Sequence, residues 1–163
     1  MRVRALSFLL AIALLALPAA AERRDFRGTV THVSDGDTVW VRPATGGAPV
    51  PVRLQGIDAP EICQPLGEQA RHALASRVLH KAVSVDVRGR DDFDRTLGRV
   101  SAQGQDMGAW LVFAGLAWSY RYRHNPGPYS QLESQARQAR RGLWAASGPM
   151  EPRHFRMRHG PCH

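Results

Sequence analysis

The sequence predicts an α+β protein. Five short runs alternate apolar and polar residues, an amphipathic helical stretch falls between the third and fourth of them, and two further helical stretches follow the fifth. Phe26 to Val33, Asp37 to Arg42 and Val50 to Gln55 form a meander of three strands, turning at Ser34-Asp35-Gly36 and again through the loop at 43–49. Pro65 opens a helix whose Leu66, Ala70, Leu74 and Val78 share one face, with Glu68 in its first turn and Arg77, His80 and Lys81 at its end. Val83, Val85 and Val87 mark a fourth strand, and Thr96 to Ala102 a fifth that ends at Gln103-Gly104. Asp106 caps a second helix, apolar almost all round at Trp110, Leu111, Val112 and Phe113 and stopped by Gly115. Pro128 at the first helical position and Gly142 just past the end bracket a third. Five strands and three helices in this order have the layout of an OB-fold β-barrel, although the pattern by itself stops at α+β.

The 163 residues suit one domain with a core of its own. Met1-Arg2-Val3-Arg4 is a basic start, Ala5 to Leu17 is apolar but short for a membrane span, and Ala19-Ala20-Ala21 closes it as an A-x-A cleavage site. Residues 1–21 therefore read as a signal peptide, 22–146 as the folded domain, and 147–163, with Pro149, Pro152 and Pro161, as an irregular tail. The product is exported, periplasmic or secreted. The competing reading is an uncut apolar stretch that anchors the chain; lipidation is excluded because no cysteine stands at the cut.

The formal charge is +8 at pH 7, and cleavage removes Arg2 and Arg4 without removing an acid, so the chain stays basic. Lys81 is the only lysine. Arginine grips phosphate through a planar fork, and no long basic amphipathic helix points to a membrane surface, so nucleic acid is the favoured anionic partner.

Two segments carry the chemistry: Asp35-Gly36-Asp37-Thr38, and Arg53 through Glu61. Each alone is an ordinary turn. Together they place carboxylates and an arginine at strand ends, where a rigid sheet aims them. Asp37 and Asp58 are hard oxygen donors for a divalent cation, Glu61 lies beyond the Pro60 turn at a distance suited to work on water, and Arg53 offers a phosphate fork. Asp35 caps the turn and lies close enough to support a metal ligand from behind.

The combination of Asp-Gly-Asp-Thr-Val at 35–39 with Arg-Leu-x-Gly-Ile-Asp-Ala-Pro-Glu at 53–61 closely resembles the thermonuclease (staphylococcal nuclease) family of Ca2+-dependent phosphodiesterases. Asp92-Phe93-Asp94-Arg95-Thr96-Leu97 is similar to the family's Lys-Tyr-Gly-Arg strand entry, and Ala114-Gly115-Leu116-Ala117 to its Gln-Gly-Leu-Ala helix end. The likeness runs from about Phe26 to Trp144. It implies the OB-fold barrel, a Ca2+ held by Asp37, Asp58 and the carbonyl of Ala59, Glu61 as general base, and Arg53 and Arg95 around the phosphate. It also implies cleavage on the 5′-oxygen side and acceptance of both DNA and RNA; single-stranded or frayed substrate and a monomeric state are expected. Arg99 is a rival for Arg95, but only Arg95 keeps the downstream helix aligned without a gap.

Several positions depart from the family pattern. Asp94 stands where the family has glycine and Asp92 where it has lysine, which sets negative charge beside the expected phosphate. Phe93 replaces a tyrosine and keeps only the stacking face. Tyr120-Arg121-Tyr122-Arg123 interleaves rings and cations as a platform for single strands, or else merely covers the core. His154, His159, Cys162 and His163 match no zinc spacing. Cys63 and Cys162, the two cysteines of an exported chain, are expected to form a disulfide that pins the tail to the loop after Glu61; two free thiols are the alternative. The competing functions are a non-catalytic OB-fold module that binds nucleic acid or another polyanion, and a phosphodiesterase acting on polysaccharide or phospholipid. Presence of the full set Asp37, Arg53, Asp58, Glu61 and Arg95 favours the nuclease.

Overall fold

Inward-facing β-branched residues build the barrel. The computed structural model describes residues 25–160 and Cys162, so the expected signal peptide lies outside the described residues. Strand β1 (Phe26–Val33) buries Gly28, Val30 and Val33, and β2 (Thr38–Pro43) buries Thr38, Val39 and Val41. Strand β3 (Val50–Leu54) buries Val52 and Leu54, while both residues of the short β4 (Ile57–Asp58) are buried. Strand β5 (Ala82–Arg90) points Val83 and Val85 inward, and β6 (Thr96–Ala102) points Thr96, Gly98, Val100 and Ala102. The order is β3-β2-β1-β5-β6, and parallel pairing of β3 with β6 closes the ring through Val52↔Thr96, Arg53↔Leu97 and Leu54↔Gly98. Closure leaves these five strands no free edge, which is how the OB-fold escapes edge-to-edge association. Two-residue strands complete the pairing: β7 (Gln105–Asp106) folds back on β6, and β8 (Trp118–Ser119) pairs with β4.

The first helix, α1 (Gly67–Val78), buries Ala70, Leu74 and Val78 as its periodicity predicts. It ends sooner than expected: Leu79 is already extended, and Lys81 reaches back to donate to the Ser76 carbonyl at 2.8 Å. The α2 helix (Met107–Phe113) is capped by Asp106, whose Oδ1 accepts from the Gly108 and Ala109 amides. Met107 and Leu111 join Val30, Val39, Val41, Val52, Leu54 and Leu74 in the main core.

Two expectations are corrected. The α3 helix spans Ser130–Gln138, with Tyr129 and Ala139 as its caps, so Pro128 and Gly142 both lie outside it. It ends in a Schellman motif in which Arg140 takes the left-handed conformation (φ 51°); the Arg141 amide bonds to the Ala136 carbonyl at 3.0 Å and the Arg140 amide to the Arg137 carbonyl at 3.1 Å. Gly142 instead begins a 3-10 turn, Gly142–Ala145. The tail is not irregular, for it carries a fourth helix, α4 (Pro152–His159). Pro152 sits at the helix start, where no amide hydrogen is needed, and Arg156, Arg158 and His159 occupy the last turn, where cations suit the helix dipole.

The expected disulfide is present. Cys63 and Cys162, 99 residues apart in sequence, have Cα atoms separated by 5.7 Å. Gln64 Nε2 adds a 2.6 Å bond to the Met150 carbonyl, so the tail is tied to the loop after Glu61 at two points.

That loop is wedged against α1 at Gly67. A Cβ there would fall inside contact distance of the Glu61 carbonyl and the Ile62 backbone, with no side chain able to move aside. Gly67→Ala is therefore expected to lower unfolding free energy by about 1–3 kcal/mol in a denaturant titration, the usual cost of overpacking.

Candidate active site

The barrel brings three acids to one end. The Asp35-Gly36-Asp37 turn joins β1 to β2, and Asp35 Oδ1 accepts the Asp37 amide at 2.9 Å. Asp37 is buried, and its Oδ2 accepts the Ala59 amide at 2.9 Å, which locks the first motif against the second. Asp58 is buried at the end of β4, held beside Trp118 of β8. Gly56, at φ 81°, makes the turn from β3 into β4 that a side chain would strain.

Arg53 stands opposite Thr38 in the β2–β3 pairing and reaches all of these elements. Its Nη1 is 2.9 Å from Asp37 Oδ2 and donates to the carbonyls of Leu54 and Ile57 at 3.1 Å, while Nη2 is 3.2 Å from Asp58 Oδ1. Burial raises the Asp58 carboxyl above the ordinary range, against the pull of Arg53 and Arg156. Burial and then the Asp37 charge push Asp35 up to about 7, although the Asp37 amide and Arg53 act the other way.

A cleft of about 490 Å³ opens over this cluster, lined by Asp35, Asp37, Arg53, Ala59, Glu61 and Arg95 among others. Glu61 is partly exposed there. Arg95 is held by Asp91, with Nε 2.7 Å from Oδ2, and its Nη1 lies 3.4 Å from Thr38 Oγ1. Its rival Arg99 sits outside this cleft, with Nε 3.2 Å from Asp106 Oδ2. Phe93 is 81% exposed, and the Arg95 guanidinium lies 5.4 Å from its ring centre.

The acids around Arg95 have structural roles that charge counting hides. Asp91 Oδ1 accepts the Phe93 and Arg95 amides, so it shapes the turn that presents both side chains. Burial favours its neutral form, but hydrogen bonds from Arg95 and from these amides outweigh that and hold its carboxyl below the ordinary value. Asp94 has a φ of 59°, the left-handed conformation for which glycine is suited, and its carboxylate is 3.0 Å from Arg90.

A second cleft of about 660 Å³ shares Arg53, Phe93, Arg95 and Arg156 with the first, includes Arg99, and extends past Asp58 to Tyr120 and Tyr122. Both tyrosines are exposed. Arg123 lies over Tyr122, 5.4 Å from the ring centre. Arg121 points elsewhere, 2.6 Å from Glu133, a buried carboxylate that also binds Arg137 at 2.7 Å and accepts the Ser119 amide at 2.8 Å. Arg121 therefore fastens β8 to α3, and the expected platform reduces to its two rings and Arg123.

Asp37 and Asp58 fit a hard divalent cation. Asp58 Oδ2 accepts no hydrogen bond among the described residues, which leaves a carboxylate oxygen for a cation. No three His, Cys, Asp or Glu side chains among the described residues form a metal-holding group, so a cation held by Asp37 and Asp58 would draw its other ligands from carbonyl, water or substrate. Of the C-terminal grouping, His163 lies outside the described residues, and Cys162 is taken by its disulfide.

Arg156 was missing from the sequence-based site. Its Nη1 lies 2.6 Å from Glu61 Oε1 and 3.4 Å from Asp58 Oδ1. The one signal that pointed towards it was the pair of cysteines, which brings the tail to Glu61.

Residues 51–146 match the family described as staphylococcal nuclease homologue. The chain is 40% identical over 154 residues to Protein ParB of Escherichia coli, an alignment that covers 88% of this chain and 84% of that one. It is 36% identical over 152 residues to a micrococcal nuclease of Shigella flexneri, covering 86% and 84%. An uncharacterized endonuclease of Haemophilus influenzae is 36% identical over 139 residues, covering 85% and 77%.

The Glu133 assignment is open to direct test. Glu133→Ala would orphan the Ser119 amide and two arginines, and is expected to cost about 3 kcal/mol of stability in denaturant unfolding. Arg121→Ala is expected to lower stability while leaving affinity for single-stranded DNA close to that of the parent.

Proposed function

This chain belongs to the staphylococcal nuclease family, and we propose that it is an exported, Ca2+-dependent nuclease that hydrolyses phosphodiester bonds of single-stranded or frayed DNA and RNA as a monomer. The convergence of Asp37, Arg53, Glu61 and Arg95 on one cleft, with Asp58 beside them, carries this reading.

A phosphodiester resists attack because the negatively charged oxygens around its phosphorus repel an anionic nucleophile. Asp37, Asp58 and the Ala59 carbonyl would hold the cation, which when bound supplies Lewis-acid polarisation of a phosphoryl oxygen. Glu61 reaches into the cleft from a loop braced by Gly67 and would take the proton of an attacking water. Arg53 is fixed by four protein oxygens and sets the electrostatic field of the site. Arg95 has Nη2 uncommitted among the described residues, and its donation to an equatorial oxygen strengthens as charge builds in the transition state. Phe93, Tyr120 and Tyr122 would stack on bases without reading them, in keeping with action on both nucleic acids.

Digestion of single-stranded DNA and RNA is expected with Ca2+, to stop in chelator and to resume when Ca2+ is restored; full activity in chelator would overturn the metal assignment. From initial rates, Glu61→Gln and Arg95→Ala are each expected to remove roughly 2–4 kcal/mol of transition-state stabilisation, and Arg99→Ala less than about 1.

A further inference from the structure

The C-terminal helix delivers a third arginine to the cleft. Beside Arg53 and Arg95, Arg156 lines the cleft over the acid cluster, and it contacts Glu61 and Asp58 through a single nitrogen, Nη1. Its Nε and Nη2 have no partner among the described residues. The three arginines differ in this respect. Arg53 is enclosed, with its side chain 15% exposed and both terminal nitrogens bound to protein. Arg95 is 30% exposed with its Nε fixed by Asp91. Arg156 is 39% exposed and has the most donors free.

A role as a mere fastener for the tail accounts poorly for this arrangement. The Cys63–Cys162 bond and the Gln64–Met150 bond already secure α4, and neither needs a cation at the cleft. A guanidinium with an open fork, half in water and facing a cleft lined by two other arginines, matches a phosphate in charge and shape. A bound phosphodiester would compete with Glu61 for it, and the exchange would release the carboxylate at the moment a water needs a base.

We propose that Arg156 is a phosphate-binding arginine of this site, parked on Glu61 and Asp58 in the free protein, transferred to the substrate phosphate on binding, and held within reach by the Cys63–Cys162 bond. The inference rests on the nuclease reading, and no covalent step is added to it.

The test measures binding of a labelled, phosphorothioate-linked single-stranded DNA in Ca2+ by fluorescence anisotropy across a salt series, alongside kcat and KM on ordinary DNA. Arg158→Gln removes an exposed charge from the same helix and sets the baseline. Beyond that baseline, Arg156→Gln is expected to weaken binding roughly tenfold, the scale of one charge-assisted contact, and to lower the slope of log affinity against log salt by about 0.7. Arg156→Lys is expected to keep the slope and lose part of the affinity, and it decides the matter if the Gln variant folds poorly. The paired change Cys63→Ser with Cys162→Ser is expected to weaken binding to the same degree, and adding Arg156→Gln to that background to change nothing more. The proposal is overturned if Arg156→Gln binds like Arg158→Gln, or if kcat alone falls while affinity and salt slope stay put, which would make Arg156 a positioning residue for Glu61. Failure of the unaltered protein to bind the DNA would overturn the nuclease reading itself, and this inference with it.

Discussion

The Arg53 guanidinium holds the site together. Asp37 and Asp58 are buried at one end of the barrel, and Arg53 binds both of them together with the carbonyls of Leu54 and Ile57. Carboxylates taken out of water cost several kcal/mol each unless paired, and removing the partner of a buried pair is far more damaging than never having built it. Arg53 is thus a structural tie between β2, β3 and β4 before it is anything else. Loss of activity on changing it would mix the collapse of the acid cluster with loss of phosphate contact. Arg95, which no buried acid depends on in this way, reports on chemistry more cleanly.

Barrel closure extends this constraint to the rest of the cleft. Arg53 faces Thr38 across the β2–β3 ladder and Leu97 across the β3–β6 ladder. The turn before β6 therefore arrives beside the acids, bringing Phe93 and Arg95 with it, and Arg95 Nη1 meets the hydroxyl of the same Thr38. Parallel pairing between strands so far apart in sequence is slow to form but leaves little freedom once made. The cleft is accordingly framed by sheet on one side and by two tethered segments, the Glu61 loop and α4, on the other.

What could be read from the sequence follows the range of the interaction involved. Valines alternating with polar residues placed four of the five barrel strands to within a residue, the remaining one running on past Val87 to Arg90, and Asp106 marked the start of α2, because pattern and cap are local signals. The end of α3 was misread because Arg140 adopts the left-handed conformation that glycine usually signals. Helix α4 was missed because Pro152 serves equally well as a breaker or a helix start, and Arg153 to His159 show no apolar stripe. Asp94 was read only as a charge near the phosphate, whereas its left-handed backbone also fits the glycine expected there and its exposed carboxylate pairs with Arg90. Arg156 lies 95 residues from Glu61, and only the cysteine pair connects them in sequence terms.

The pairing of each arginine with an acid has a catalytic consequence. Arg53 binds Asp37 and Asp58, Arg95 binds Asp91, and Arg156 binds Glu61. On the proposed reading, a phosphate entering the cleft would not meet bare cations but exchange one anionic partner for another, so each arginine would add less to ground-state binding than an unpaired cation could. As the reaction proceeds and charge accumulates on the phosphoryl oxygens, the balance tips from carboxylate towards phosphate. Interactions that are stronger in the transition state than in the bound substrate are the ones that raise kcat, whereas unopposed arginines would tighten both alike. On this argument the acids beside Arg95 and Arg156 do not handicap the site. They would temper uniform binding and weight the arginines towards the step at which negative charge is greatest.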